Sequence, residues 1–293
     1  MRGRVIAILL AAVAACQAPL NTDTAPTVDI DALRWLDPST DPVAHLTTQP
    51  ATCQTAPDSP SAQRGALVFS SPLLLGGQAA KASLSCASCH RNGRGNPAFR
   101  FMGISGAPGT ADVTHGLFST VRADKTFNPV PIPDLATAEG RTRVDRDQAG
   151  VLEAFLSAQI IEEFSGTAPE PVVIDDLAAY IRTLDTAACA PNSHEAQSWR
   201  SELSLLRAGL IAPDVQSGTY RDAMRAALGR LYKRYPGQQH ADLRNALIKL
   251  SRALADGEPP EDIRQTLDQL AEQLARAEAG SLYSPEVLSR ALR

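Results

Sequence analysis

Five consecutive residues, Cys86-Ala87-Ser88-Cys89-His90, carry the clearest chemistry in this chain. The spacing is C-x-x-C-H. Two thiols so placed add across the two vinyl groups of a haem, and the adjacent histidine is then held beneath the iron as an axial ligand. Two other chemistries use part of the pattern. A thioredoxin-like redox pair wants a βαβ setting, which the flanking sequence lacks. A zinc site wants a second ligand pair nearby. The residues therefore point to one covalently bound haem c, with Cys86 and Cys89 as thioethers and His90 as the proximal iron ligand.

A six-coordinate haem takes a second axial ligand, commonly Met or His. Apart from Met1 the candidates are Met102, Met224, His45, His115, His194 and His240. Only Met102 and His115 fall in the stretch just after the motif. His115, within Val113-Thr114-His115-Gly116, and Met102 are thus the two candidates. A solvent-facing loop position for His115, or core packing of Met102 beside Phe99 and Phe101, accounts for either residue without iron. Arg91, Arg94 and Arg100 stand close enough to the motif to pair with haem propionates, or to form a solvated basic turn.

The rest of the chain must place and house this group. Arg2 and Arg4 precede an apolar run, Val5 to Ala15, that is shorter than the ~20 residues a membrane span needs and suits an export signal. It ends Val13-Ala14-Ala15-Cys16, like a bacterial lipobox. Residues 1–16 are thus expected to be a lipoprotein signal with Cys16 lipidated and retained, the alternative being ordinary cleavage near Ala15 or Ala18. Gln17 after the cysteine resembles an outer-membrane sorting signal, which puts the protein on the periplasmic side of a Gram-negative bacterium. Cys53 and Cys189 are then an even pair in an oxidising compartment, and a disulfide between them is expected, with two free thiols as the alternative. The net charge of −4, without a long basic run, gives no reason to expect a nucleic-acid partner.

Residues 17–60 read as a tether followed by an extended segment holding Trp35. A short helix is expected over 62–69, a long loop over 91–135, and helices over 151–164 and 174–184. The first of these two carries a stripe of Leu152, Phe155, Leu156, Gln159 and Ile160, the second Leu177, Ala178, Ile181 and Leu184. Beyond Cys189 four segments repeat apolar residues at i, i+4, i+7, i+11: Trp199/Leu203/Leu206/Leu210, Tyr220/Met224/Ala227/Leu231, Leu243/Leu247/Leu250/Leu254 and Ile263/Leu267/Leu270/Leu274. Each stripe marks one amphipathic helix, and Gly and Pro signals separate them. Ser284-Pro285 opens a short fifth helix. The fold class is all-α: a haem unit over 61–189 followed by an antiparallel helical bundle over 190–293.

Two flanking stretches resemble known haem proteins. Arg64-Gly65-Ala66-Leu67-Val68-Phe69 resembles the first helix of class I cytochrome c domains, where the glycine admits a C-terminal helix. Asp176 to Leu184 resembles that C-terminal helix, with Tyr180 as its packing aromatic. Gly65…Phe69-x-x-Pro72…Ser85-Cys86-Ala87-Ser88-Cys89-His90 is similar to the bacterial di-haem cytochrome c peroxidase and MauG-like superfamily, in which a loop His followed by Gly can be a distal ligand. Those enzymes use two haems, whereas this chain has one C-x-x-C-H. The expectation is a monohaem c-type cytochrome passing electrons between periplasmic redox partner proteins. The alternatives are a haem-dependent peroxidase-like enzyme or accessory protein, and a structural haem beside a partner-binding bundle.

Overall fold

A computed structural model describes residues 28–212 and 218–293. The expected export signal, the expected lipidation of Cys16 and the start of the expected tether lie outside the described residues. What is described is mostly helical, so the all-α expectation holds at that level. The helices are α1 (Pro42–Thr47), α2 (Pro60–Phe69), α3 (Gly77–Lys81), α4 (Cys86–Cys89), α5 (Ala138–Thr142), α6 (Val151–Ala158), α7 (Pro171–Thr183), α8 (Trp199–Leu210), α9 (Gly218–Arg234), α10 (Ala241–Asp256), α11 (Pro260–Ala277) and α12 (Pro285–Ala291). Two small antiparallel ladders join β1 (Thr48–Pro50) to β4 (His194–Ala196), and β2 (Thr110–Ala111) to β3 (Val130–Pro131). No helix among the described residues is long and apolar enough to cross a membrane.

Local signals explain the boundaries. Ser59 caps α2 by accepting from the Ala62 N–H, with Pro60 in the first turn, where a missing N–H costs nothing. Ser198 and Ser284 cap α8 and α12 in the same way. Gly257, at φ +74°, closes α10 in the left-handed region that glycine tolerates. Acidic Glu261 and Asp262 sit in the first turn of α11, where the helix dipole favours them.

All four bundle stripes are buried in full. Helices α8 to α11 each pack on the next, and α11 closes back onto α8. The expected boundary at residue 190 is not a break in packing. One apolar core runs from Leu67, Leu177 and Tyr180 on the motif side through Leu206 and Met224 to Leu250 and Leu270 in the bundle. Gly209 makes the junction close: a Cβ there would meet Met224 Sδ at 2.7 Å and Leu67 Cδ2 at 2.9 Å.

Two expectations need correction. Residues 28–32, expected as the end of a tether, are docked, and the segment beyond them is not simply extended, since Asp31–Trp35 forms a 3-10 turn and Pro42–Thr47 is α1. Val28 and Ile30 pack with Leu282 and Leu288 at the other end of the described chain, and Trp35 is buried against Phe99 and Ile104. The helix over 151–164 is not one regular α-helix either. It passes into a π turn at Gln159–Glu163, whose extra residue per turn changes the facing. Ile160 and Glu163 are buried there, while Phe155 is 42% exposed and so falls outside the stripe.

Candidate functional site

The motif occupies one tight turn. Helix α4 begins after Ser85, whose N–H donates to Ser88 Oγ at 3.0 Å. His90 N–H returns to the Cys86 carbonyl at 2.8 Å, and Asn96 Nδ2 donates to the Ser88 carbonyl at 2.8 Å. Asn92, held at φ +55°, sends its amide to the Pro50 carbonyl and to Glu195, tying the turn to both strands of the first ladder. Asn is among the residues that tolerate that conformation.

His90 is aimed by a distant carbonyl. Its Nδ1 lies 3.0 Å from the Pro133 carbonyl oxygen. A carbonyl only accepts, so Nδ1 carries the proton and donates. That leaves the Nε2 lone pair free, the form in which imidazole binds a metal. Burial pushes the ring down to about 4, against the partial support of the Pro133 carbonyl, so the imidazole is neutral near pH 7. The Phe69 ring stands 6.4 Å from that of His90 and 5.1 Å from Tyr180, joining the ligand to the α2–α7 pair.

Cys86 and Cys89 are unbonded thiols, each pushed up to about 12 chiefly by burial. Thiols held protonated in this way are poor at thiol–disulfide exchange. Among the described residues no group of three or more His, Cys, Asp or Glu is arranged to hold a metal ion, so the second ligand pair of a zinc site is not assembled there. Both thiols instead border an apolar cluster of Trp35, Leu84, Phe99, Ile104 and Phe118, with Phe101 and Phe164 against it. Rings of Phe101, Phe118 and Phe164 follow one another at 6.4 and 5.5 Å. Two thiols one turn apart, a histidine with Nε2 free and an aromatic wall make a donor set that fits a covalent haem.

The remaining expected residues fall as follows. Cys53 and Cys189 are joined in a disulfide, Cα–Cα 5.1 Å. Met102 is 94% exposed, so it packs in no core. His115 is exposed and its Nδ1 accepts from the Leu117 N–H at 3.1 Å. That places the proton of a neutral ring on Nε2, opposite to His90. Met224 is buried in the bundle, His194 bonds the Asn192 carbonyl, His240 the Gly280 carbonyl, and His45 bonds Arg91. The three arginines are engaged by protein. Arg91 donates to the His45 and Thr48 carbonyls, Arg94 pairs with Asp134, and Arg100 pairs with Asp37.

Several residues of the site had no signal in the sequence. Pro133 acts from 43 positions away. Glu163, 6% exposed, pairs with Arg122 at 2.9 Å and lies near enough for its charge to raise the Cys89 thiol. Burial holds this carboxyl above its ordinary range, with Arg122 and Gln159 opposing. Comparison of the chain with protein-family models, curated proteins and solved structures finds no match.

Proposed function

We propose that this chain is a monohaem c-type cytochrome that carries electrons between partner proteins on the periplasmic side of a bacterial membrane, anchored through lipid on Cys16. The observation that carries the reading is the His90–Pro133 hydrogen bond beside two part-buried, unbonded thiols at C-x-x-C spacing. In this reading Cys86 and Cys89 hold the haem covalently and His90 is its proximal ligand, within a class I cytochrome c-like unit over 61–189.

When bound, haem supplies a one-electron ferric/ferrous couple. The chain's own residues do the rest. The Pro133 carbonyl fixes the His90 tautomer and raises its basicity. Trp35, Phe99, Phe118 and Phe164 keep water from the site, which governs potential as much as ligand identity does. The test is direct. Denatured protein from a strain that matures cytochromes c should keep haem stain on a gel, and Cys86→Ala with Cys89→Ala should lose it. A haem that extracts into acid acetone from intact protein would overturn the reading.

A second reading, a haem peroxidase, is favoured by Glu163. A buried carboxyl that desolvation holds above its ordinary range, beside Gln159 and Arg122, is a group of the kind that transfers protons in catalysis. Peroxide turnover by purified protein, abolished in Glu163→Gln, would select it over the carrier.

A further inference from the structure

One side chain ties the segment after the motif to the carbonyl that aims His90. Arg94 Nε donates to both carboxylate oxygens of Asp134, at 2.7 and 2.9 Å. On its other side Arg94 Nη1 lies 3.0 Å from Cys53 Sγ of the disulfide. Asp134 directly follows Pro133. Its carboxylate also accepts from the Ala136 N–H at 2.9 Å, and its carbonyl from the Thr137 hydroxyl at 3.0 Å, so the turn is folded around this residue. The two segments lie side by side: a Cβ on Gly95 would stand in ordinary contact with them, 3.5 Å from the Ile132 carbonyl oxygen and 3.7 Å from Asp134 N.

The pair itself is only partly buried, with side chains 18% and 25% exposed. Such ion pairs add little stability. Their consequence here is geometric, because the carboxylate they hold is one residue from the atom that sets the proximal ligand.

We propose that Arg94 is a positioning residue for His90: clamped against the disulfide, it holds Asp134 and so keeps the Pro133 carbonyl on His90 Nδ1. The inference rests on the haem reading above. A hydrogen bond at Nδ1 makes the imidazole a stronger donor to iron. Stronger donation favours ferric iron, so slackening the carbonyl raises the reduction potential. Lysine at 94 keeps the charge but offers a single ammonium, which cannot address Asp134 and the sulfur on opposite sides as a guanidinium does.

The experiment is a potentiometric titration of full-length, haem-loaded wild type, Arg94→Lys, Asp134→Asn and the double variant. Arg94→Lys should raise the potential by roughly tenfold in the ferric/ferrous equilibrium, ~59 mV for one electron. In the Asp134→Asn background it should add nothing. An unmoved potential in Arg94→Lys overturns the proposal. So does a shift that adds fully to that of Asp134→Asn, since Arg94 then reaches the haem by another route, such as a propionate. Should Arg94→Lys fail to fold, Asp134→Glu keeps the charge while displacing the carboxylate, and the same rise is expected and the same constancy fatal. Wild type without haem stain removes the haem reading, and this role with it; stained wild type with an unmoved Arg94→Lys removes this role alone.

Discussion

Gly65 of α2 lies against the backbone of Asp176 in α7: a Cβ on Gly65 would stand 2.0 Å from the Asp176 carbonyl oxygen and 2.7 Å from Tyr180 Cβ. No side chain fits that gap, and the obstruction is backbone, which cannot rotate away. The contact sets how closely the two helices flanking the motif approach, and through Phe69 it sets what packs beside His90.

Gly65→Ala should therefore destabilise the protein although alanine favours helix. Overpacking of this kind costs ~1–3 kcal/mol. The fall should appear as a lower urea midpoint at unchanged slope, whereas stabilisation would mean that the helices part freely.

Asp176 also joins the two halves of the chain. Arg64 donates to it twice, at 2.6 and 2.8 Å, and the hydroxyls of Ser61 and Tyr220 bond it as well. The carboxylate is 2% exposed, and its hydrogen bonds to Arg64 raise the guanidinium pKa. Asp176→Ala should cost ~3–5 kcal/mol by leaving Arg64 buried without its partner. Tyr220→Phe should cost less, ~1.5–3 kcal/mol for one hydrogen bond to a charged group. Since Tyr220 belongs to α9, unfolding followed by fluorescence and by circular dichroism should give one coincident transition. Two separate transitions would show that the bundle folds apart from the motif side.

A pH effect follows from His45. Its Nδ1 accepts from Arg91 at 3.2 Å, and burial, then the Arg91 charge, holds the ring at about 4 rather than 6.5. The unfolded chain therefore takes up this proton first as pH falls. The stability owed to neutral His45 is full above pH 6.5, is lost between about 6.5 and 4, and the loss levels off below that. In full it amounts to roughly 3 kcal/mol. Urea midpoints for wild type and His45→Gln, compared from pH 7.5 to 4, should diverge above pH 6 and converge near 4. A constant difference across that range would refute the assignment.

The elements were legible where local pattern decides them. The stripes from Trp199 to Leu274, the cap at Ser284 and the turn at Cys86–His90 each depend on neighbours within about a dozen residues. What holds the site is of another kind. Pro133 and Asp134 reach His90 and Arg94 from 40 or more positions away through a loop without periodicity, and Glu163 reaches Cys89 from the end of a helix still further on, so no spacing announces them. Phe155 belongs to the regular part of α6 and is 42% exposed all the same, because which face of that helix is covered depends on distant neighbours and not on local pattern. The joining of α2 to α8 and α9 depends on Gly209, a residue that reads as a stop signal and serves instead as a close contact.

The last prediction concerns the iron's second axial position. Met102 is 94% exposed, so Met102→Ala should leave spectrum and potential unchanged, and the weak far-red band of methionine–iron ligation should be absent. The carrier reading requires His115 instead. To ligate through Nε2, its ring must release the Leu117 N–H and carry its own proton on Nδ1. The oxidised protein should then be low-spin, at a potential below that of Met-ligated cytochromes. His115→Ala should convert it to high spin and let cyanide or peroxide bind. A low-spin spectrum unchanged in His115→Ala would defeat this ligation. If wild type is already high-spin and consumes peroxide, the iron is open as the exposed His115 leaves it, Glu163 becomes the proton-transfer group, and the carrier reading gives way to the enzyme.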